Sequence, residues 1–375
     1  MKIGEYRIRV WLFAGVCLAV GGSAYAQGLW QGATYPRLVT GHRPLATPAT
    51  KWLVLDTGGS GGGFGKGDIR QKLHDVHFWN DRLGWACGYG GVFKTQDGGL
   101  TWARMKPKGG WYHIEMSGPE EIWLLAGKHP GGLGNAWLHH STDGGETWQE
   151  VLALAGQLDG YRDLYCRGPL RYVLTGTAAW RSSDRETGWQ RVDFGVQGGF
   201  RPRRMAVPAD LPTERGFVVY VLGDSVATRQ RMLLKSEDAG ATWAPLRELP
   251  AAPSSYRGQV FFATSRQGWV AGPDNQIWRT DDGGESWQPC HLPEGEWATA
   301  LWFDQRGRGF AAVANHKFLN PGQALYETTD AGATWTAVMG GMKQINAIFG
   351  RGPRRVWAVG DVPGFVQNDL VLILE

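Results

Sequence analysis

The chain has 375 residues, with 39 lysines and arginines against 35 aspartates and glutamates. The formal net charge of +4 is too small for a general nucleic-acid or membrane-surface binder. The 4 cysteines lack C-x-x-C spacing, so the sequence predicts no disulfide framework, no metal site and no cofactor. The high counts of 56 glycines and 20 tryptophans favour an all-β protein with many tight turns.

The first residues have the order of a secretory signal. A basic stretch that ends at Arg9 precedes an apolar run over 10–20, and small side chains follow at Ala24 and Ala26. The run is shorter than the ~20 apolar residues that a spanning helix needs. We therefore expect 1–26 to be a signal peptide cleaved near Ala26. The mature chain is then exported, to a periplasm, a thylakoid lumen or the medium, and has no transmembrane segment.

A short phrase recurs through the rest of the chain. Its core is S/T-x-D-x-G-x-T/S-W, as in KTQDGGLTW at 94–102, and its third copy, RSSDRETGW at 181–189, is degenerate. The aspartate and tryptophan of each copy are Asp97 and Trp102, Asp143 and Trp148, Asp184 and Trp189, Asp238 and Trp243, Asp282 and Trp287, and Asp330 and Trp335. Successive aspartates are 41 to 54 residues apart, a period that predicts four-stranded propeller blades.

The phrase is typical of a hairpin turn. Its aspartate can bond backbone groups a few residues on, and its glycine supplies a positive φ without steric cost. The tryptophan then begins the next strand as a large buried side chain. We therefore interpret the six copies as structural turns between the third and fourth strands of each blade. A calcium loop is disfavoured, because the D-x-D-x-D-G spacing is absent.

Between the turns the strands of each blade can be followed. In the first blade 73–79 is predicted as the inner strand, 84–90 as the second and 91–95 as the third. A seventh unit begins at 345–350 and has no such turn. We expect 51–56 to complete it, so that 51–375 forms a seven-bladed, all-β propeller whose ring is closed by an N-terminal strand. Residues 27–50, rich in proline, are predicted to be an extended tether.

These features resemble the BNR or Asp-box repeat superfamily. Within it, GWACGYGGVFKTQDGGLTW at 84–102 is similar to the blade signature of photosystem II stability/assembly factor-like proteins, and 268–287 repeats it. The resemblance covers roughly residues 50–375. It implies a non-catalytic exported protein that binds a client protein, or a membrane-protein complex, during assembly or repair.

Two other functions stay open, because a fold does not decide a function. Sialidase-like glycoside hydrolases also carry Asp boxes, but the mature chain has no R-I-P phrase before the first box and no evident carboxylate pair at the inner strands. A secreted lectin would use aromatic side chains such as Trp111, Tyr112, Tyr161 and Tyr256, which we expect to be exposed near the start of the inner strands.

Basic and imidazole side chains recur near the start of the predicted inner strands. They are His74, His113, Arg162, Arg203, Arg204, Arg257 and Lys343. Guanidinium groups suit carboxylate recognition, so these residues are a candidate binding surface for a client protein, an anionic ligand or a carbohydrate. Polar residues also line most propeller channels simply to face water, and nearby acids could pair with them.

Overall fold

The computed structural model describes the chain as a set of strands and turns. The described residues are 5–6, 9–11, 52–56, 73–106, 109–127, 134–168, 170–183, 188–208, 210, 217–250, 258–273, 276–292, 296–315, 322–342, 344–352, 354–361 and 369–374. These residues contain strands and no helix. The predicted tether at 27–50 lies outside them. The predicted cleavage near Ala26 does too, and it stays a prediction.

The strands are numbered in chain order. The first fourteen are β1 Glu5–Tyr6, β2 Arg9–Trp11, β3 Trp52–Asp56, β4 Leu73–Phe78, β5 Gly84–Gly88, β6 Gly91–Thr95, β7 Trp102–Lys106, β8 Trp111–Met116, β9 Ile122–Gly127, β10 Gly134–Ser141, β11 Gln149–Arg167, β12 Leu170–Gly176, β13 Ala179–Ser182 and β14 Gln190–Arg191. The others are β15 Phe200–Ala206, β16 Val219–Ser225, β17 Arg231–Ser236, β18 Ala244–Leu249, β19 Gln259–Phe262, β20 Gly268–Ala271, β21 Gln276–Thr280, β22 Gln288–His291, β23 Glu296–Phe303, β24 Gly309–Asn315, β25 Gly322–Thr328, β26 Thr336–Met342, β27 Gln344–Gly350, β28 Val356–Asp361 and β29 Asp369–Leu374.

The described strands form six antiparallel sheets rather than seven separate blades. Their strand orders are β1-β7-β6-β5-β4, β14-β13-β12-β11-β10-β9-β8, β15-β16-β17-β18, β19-β20-β21-β22, β23-β24-β25-β26 and β2-β3-β29-β28-β27. The prediction of an all-β propeller with four-stranded antiparallel blades is confirmed. The sequence predicted seven blades, whereas the described strands form six sheets. The reason is β11, a strand of 19 residues that pairs with β10 at its start and with β12 at its end.

The innermost strands lie next to one another around the molecule. In chain order β4, β8, β11, β15, β19, β23 and β27 contact their neighbours, and β27 contacts β4 again. In the last sheet β3 pairs with β29, with Trp52 opposite Leu374 and Asp56 opposite Leu370. A strand from the start of the chain therefore adds to the sheet made at its end. The short strands β1 and β2, from the predicted signal, pair with β7 and β3.

Large aromatic side chains fill the space between neighbouring sheets. The second strands carry, at matching positions, the buried residues Trp85, Trp123, Tyr172, Tyr220, Trp269, Phe310 and Trp357. Trp269 stacks on Phe303 of the next sheet with ring centroids 3.7 Å apart. Its indole N–H also donates to the carbonyl of Ala331, 2.9 Å away in the next Asp-box turn. The β19–β22 sheet is thus packed against its neighbour and also hydrogen-bonded to it.

The Asp boxes are closed by their own side chains. In the first box the Thr95 hydroxyl donates to Asp97 Oδ1 at 2.8 Å, and the Thr101 hydroxyl donates to Asp97 Oδ2 at 2.5 Å. The N–H of Gly99 donates to Thr95 Oγ1 at 2.9 Å. The indole N–H of Trp102 donates to the Gly99 carbonyl at 2.8 Å.

The carboxylate bonds recur in four further boxes, around Asp143, Asp238, Asp282 and Asp330. Hydrogen bonds from Thr147 and Thr242 lower the pKa of Asp143 and Asp238 to about 2. The structure places these five boxes at hairpin turns between a third and a fourth strand, as the sequence predicted. Asp184 of the third copy lies outside the described residues, whereas Trp189 packs against the core beside Trp123.

Candidate functional site

The inner strands begin at the end of the molecule opposite the Asp boxes. In the first sheet the last residue of β4, Phe78, pairs with Gly84, and Gly84 pairs with Thr95 at the first box. The first residue of β4, Leu73, pairs with Gly88 at the other end of the sheet. We call these two ends the inner-strand end and the Asp-box end. Of the candidate basic residues, His74, His113, Arg203 and Arg204 are described near the start of inner strands, so these four lie at the inner-strand end.

His74 joins two neighbouring inner strands. It is the extra residue of a β-bulge, since the register between β4 and β5 shifts between Leu73 and Asp75. Its Nδ1 lies 2.8 Å from the Trp111 carbonyl, which requires a proton on that nitrogen. Its ring lies parallel to that of Tyr112, with centroids 5.3 Å apart. His74 therefore bonds the start of β4 to the start of β8.

His113 faces a carboxylate. Its Nδ1 lies 3.2 Å from Asp75 Oδ2, and the same oxygen accepts the N–H of Ile114 at 3.0 Å. The other oxygen of Asp75 accepts the N–H of Val76 at 2.9 Å. The carboxylate thus holds the first two inner strands together, and His113 is one of its donors.

Arg203 is buried, and it shares one carboxylate with a second arginine. Asp224 accepts the Nε–H of Arg203 on one oxygen and that of Arg231, at 2.9 Å, on the other. The side chains of Arg203 and Arg231 are 9% and 2% exposed. Asp224 therefore brings two guanidinium groups together at the inner-strand end of β15.

Arg204 lies in the field of a second buried carboxylate. Burial raises the pKa of Asp163, while the charges of Arg204 and His113 act in the opposite direction. Asp163 also accepts the N–H of Met205 at 2.9 Å, which bonds β11 to β15 as Asp75 bonds β4 to β8. Asp163 on β11 therefore lies near the charge of Arg204 on β15 and also bonds the two strands to each other.

The structure describes only part of the candidate surface. It brings His74, His113, Arg203 and Arg204 to one end, and of Arg162 it describes the backbone alone. Arg257 and Lys343 lie outside the described residues. The sequence predicted that Tyr112 would be exposed, and this prediction was wrong, since Tyr112 is only 7% exposed.

The sequence analysis missed the polar residues that bond one inner strand to the next. The side-chain amide of Gln259 donates to the Thr299 carbonyl, and that of Asn346 donates to the Leu73 carbonyl at 2.5 Å. Thr299 and Asn346 are bulged residues like His74 and Arg203. The available signal was a polar side chain at the same inner-strand position in successive repeats.

A second polar cluster lies further along the inner strands. His77 Nδ1 is 3.1 Å from Glu115 Oε2, and Arg167 Nε is 3.5 Å from the same oxygen. Burial raises the pKa of Tyr165 to about 12. The ring of Phe349 lies 4.5 Å from that of His77. The acid of this cluster is therefore engaged by an imidazole and a guanidinium group.

Among the described residues, no three histidine, cysteine, aspartate or glutamate side chains lie close enough together to hold a metal ion. The same part of the chain contains no helix that could cross a membrane.

Known proteins with similar sequences or structures share the propeller fold and the Asp-box repeats of this chain. A family model described as photosynthesis system II assembly factor YCF48 matches residues 181–351, and a BNR/Asp-box repeat model matches 139–150. The chain is a BNR-repeat β-propeller that resembles photosystem II assembly factors. A curated relative, the photosystem II stability/assembly factor HCF136 of Arabidopsis thaliana, is 26% identical over 42% of this chain.

The curated relatives are longer proteins. The alignments cover 36% of HCF136 from Arabidopsis thaliana and 38% of HCF136 from Oryza sativa, so the chain spans little more than a third of these relatives. A xyloglucanase from Paenibacillus is 22% identical over 75% of this chain and 32% of its own length.

Solved structures share the fold. YCF48 from Cyanidioschyzon merolae is 18% identical with a TM-score of 0.58, over 82% of this chain and 96% of that protein. A structure of YCF48 bound to D1 peptide gives a TM-score of 0.57 at 18% identity, over 82% of this chain and 92% of that one. A xyloglucanase from Xanthomonas campestris gives a TM-score of 0.57 at 18% identity, over 79% of this chain and 53% of that protein.

Proposed function

We propose that this propeller is a non-catalytic exported protein that binds a segment of a client protein and serves as an assembly or stability factor for a membrane-associated complex. The binding site is the inner-strand end, where the partly buried Arg204 faces an acidic side chain or a carboxylate of the client. The observation that carries the proposal is the gathering of Arg203, Arg204 and Arg231 near the inner-strand end of one sheet. The likeness to YCF48, solved with D1 peptide, supports a peptide as the ligand.

The inner-strand acids favour binding over hydrolysis. A glycosidase needs two carboxylates that are free to act on substrate as acid and base or nucleophile. Asp75 and Asp163 both accept backbone N–H groups of the next inner strand, and Glu115 lies against His77 and Arg167. These three acids are occupied in joining strands. The likeness to xyloglucanases keeps hydrolysis as the second candidate, and release of sugar from xyloglucan by the purified protein would establish it.

The proposal includes seven structural units. The β8–β14 sheet is equivalent to two blades, because β11 breaks its register with β12 between Leu158 and Asp163. The ring of seven inner strands and the seven matched aromatic residues of the second strands support this division. Export through a signal at 1–26 is part of the same proposal.

The test is binding of a D1 peptide, measured by fluorescence anisotropy at low and high salt. We expect the Arg204→Ala protein to bind more weakly and with less dependence on salt, because rim charges act mainly on association. A copy of the peptide with its carboxylates replaced by amides should bind the native protein weakly. Equal affinity of both peptides for the native protein would contradict the proposal.

A further inference from the structure

Two large apolar side chains are exposed at the Asp-box end of the first sheet, in two loops that are hydrogen-bonded to each other. Trp79 follows the inner strand β4, and Leu100 belongs to the first Asp box; each is 38% exposed. Among the described residues the other exposed large apolar side chain is Val226. Single exposed apolar residues are common, whereas a group of them marks an interaction surface.

The equivalent positions of other sheets carry small, polar or charged residues. The residues that match Trp79 in strand register are Ser117, Arg167, Pro208, Ala263, Asp304 and Arg351. The residues that match Leu100 in other boxes are Glu146, Ala241, Glu285 and Ala333. The repeat therefore does not require an apolar side chain at either position.

The loops that carry Trp79 and Leu100 meet a third loop, which follows β27. The N–H of Gly98 donates to the Arg82 carbonyl at 2.9 Å, which joins the box turn to the loop after β4. Arg351, in the loop after β27, donates to the Phe78 carbonyl at 3.3 Å. Its Nε lies 3.9 Å from Asp81. A groove of about 550 Å³, lined by 80–83 and Gln96, opens between the first two loops.

The charge of these loops is mainly positive. They carry the arginines Arg82, Arg351, Arg354 and Arg355 and the acids Asp81 and Asp97. The carboxylate of Asp97 already accepts bonds from Thr95 and Thr101. The last repeat has no Asp box, so the arginine-rich loop after β27 is not accompanied by a box carboxylate of its own sheet.

We propose that this junction surface, formed by 79–83, Gln96, Leu100 and the described residues Arg351, Arg354 and Arg355, docks an extended acidic segment of a protein partner through an apolar side chain of that segment. The arginines favour the acidic residues, and Trp79 and Leu100 favour the apolar one. A groove suits a chain segment, whereas a flat lipid surface would leave it unfilled. The site goes beyond the proposed function, because it lies at the opposite end from Arg203 and Arg204 and allows a second partner to be held at the same time.

The test uses the full chain and a fluorescent peptide that alternates glutamate and phenylalanine. Trp79→Ser and Leu100→Glu introduce the residues that the second sheet carries at these positions, Ser117 and Glu146. We expect the double variant to bind the peptide at least about tenfold more weakly, as for an aromatic anchor at the centre of an interface. Arg351→Gln should reduce the salt dependence of binding.

The matched control is Val226→Ser, which removes an exposed apolar side chain at the inner-strand end. This variant should bind the peptide with native affinity. All variants should keep the native unfolding temperature, since the substituted side chains are exposed or partly exposed. The proposal is overturned if the double variant binds normally. It is also overturned if phosphatidylglycerol vesicles displace the peptide and bind in a manner that needs Trp79, which would make the surface a lipid site.

Discussion

The two ends of the propeller are built on different principles. At the Asp-box end five described turns repeat the same bonds among the same residue types, and each turn is closed within itself. At the inner-strand end His74, Asp75, Asp163, Gln259 and Asn346 each bond one inner strand to the next, through side chains of four different types. Repeated local bonds specify the fold, while the varied end is free to specify a ligand.

The largest expected effect is loss of an aromatic side chain that packs between sheets. Trp269→Ala removes a fully buried indole, its stacking on Phe303 and its bond to Ala331. We expect it to lower the free energy of unfolding by about 3–5 kcal/mol, measured by urea titration. Trp79→Ala, at an exposed tryptophan, is the control and should cost less than about 0.5 kcal/mol. Similar losses in both would show that the inter-sheet aromatics are not the main source of stability.

At the inner-strand end the largest effect should come from Asp224. Asp224→Asn removes the negative charge that two buried guanidinium groups share and should cost about 3 kcal/mol in urea titration. Asp281→Asn breaks an ion pair with Arg279 that is 2.7 Å long but more exposed, and should cost about 0–1 kcal/mol. If Asp224→Asn were equally mild, Arg203 would be held by packing rather than by charge.

The Asp-box end should be sensitive to acid. The folded pKa of Asp143 and Asp238 is lowered to about 2 from an ordinary value of 3.8. A lowered folded pKa means that their contribution to stability is present above the ordinary pKa and is lost as the pH falls from about 4 to about 2. The unfolding temperature of the native protein should thus exceed that of Asp238→Asn at pH 6, and the two should converge near pH 2. A constant difference down to pH 2 would contradict the role given to this carboxylate.

The smallest expected effect concerns two boxes in which alanine takes the position of the first glycine. Ala239 and Ala331 have φ of 58° and 60°, in the left-handed region that disfavours a side chain. Ala239→Gly and Ala331→Gly should each raise the free energy of unfolding by about 0.5–1 kcal/mol, because glycine adopts this conformation without strain. The greater conformational entropy of glycine in the unfolded chain offsets part of this gain. Calorimetry measures this. Gly144→Ala, at φ 69°, is the reverse test and should destabilise.

The difference between the ends also determines what the sequence could predict. The boxes were predictable because Asp97, Thr101 and Trp102 interact within one turn. The number of sheets was not predictable, because β11 runs without a break from one predicted unit into the next. The pairing of Arg203 was also hidden, since its partner Asp224 lies in another strand. Periodicity identifies local turns, whereas bonds between strands depend on how the units are packed together.

The central claim is that one end of the propeller recognises a client while the other maintains the fold. Arg204 and Asp238 lie at opposite ends of the β15–β18 sheet, and they test it together. Peptide affinity and unfolding temperature should be measured for Arg204→Ala and Asp238→Ala. We predict that Arg204→Ala weakens binding of a D1 peptide at an almost unchanged unfolding temperature, and that Asp238→Ala lowers the unfolding temperature at unchanged affinity. Loss of peptide binding in Asp238→Ala, with the fold intact and Arg204→Ala binding normally, would contradict the account.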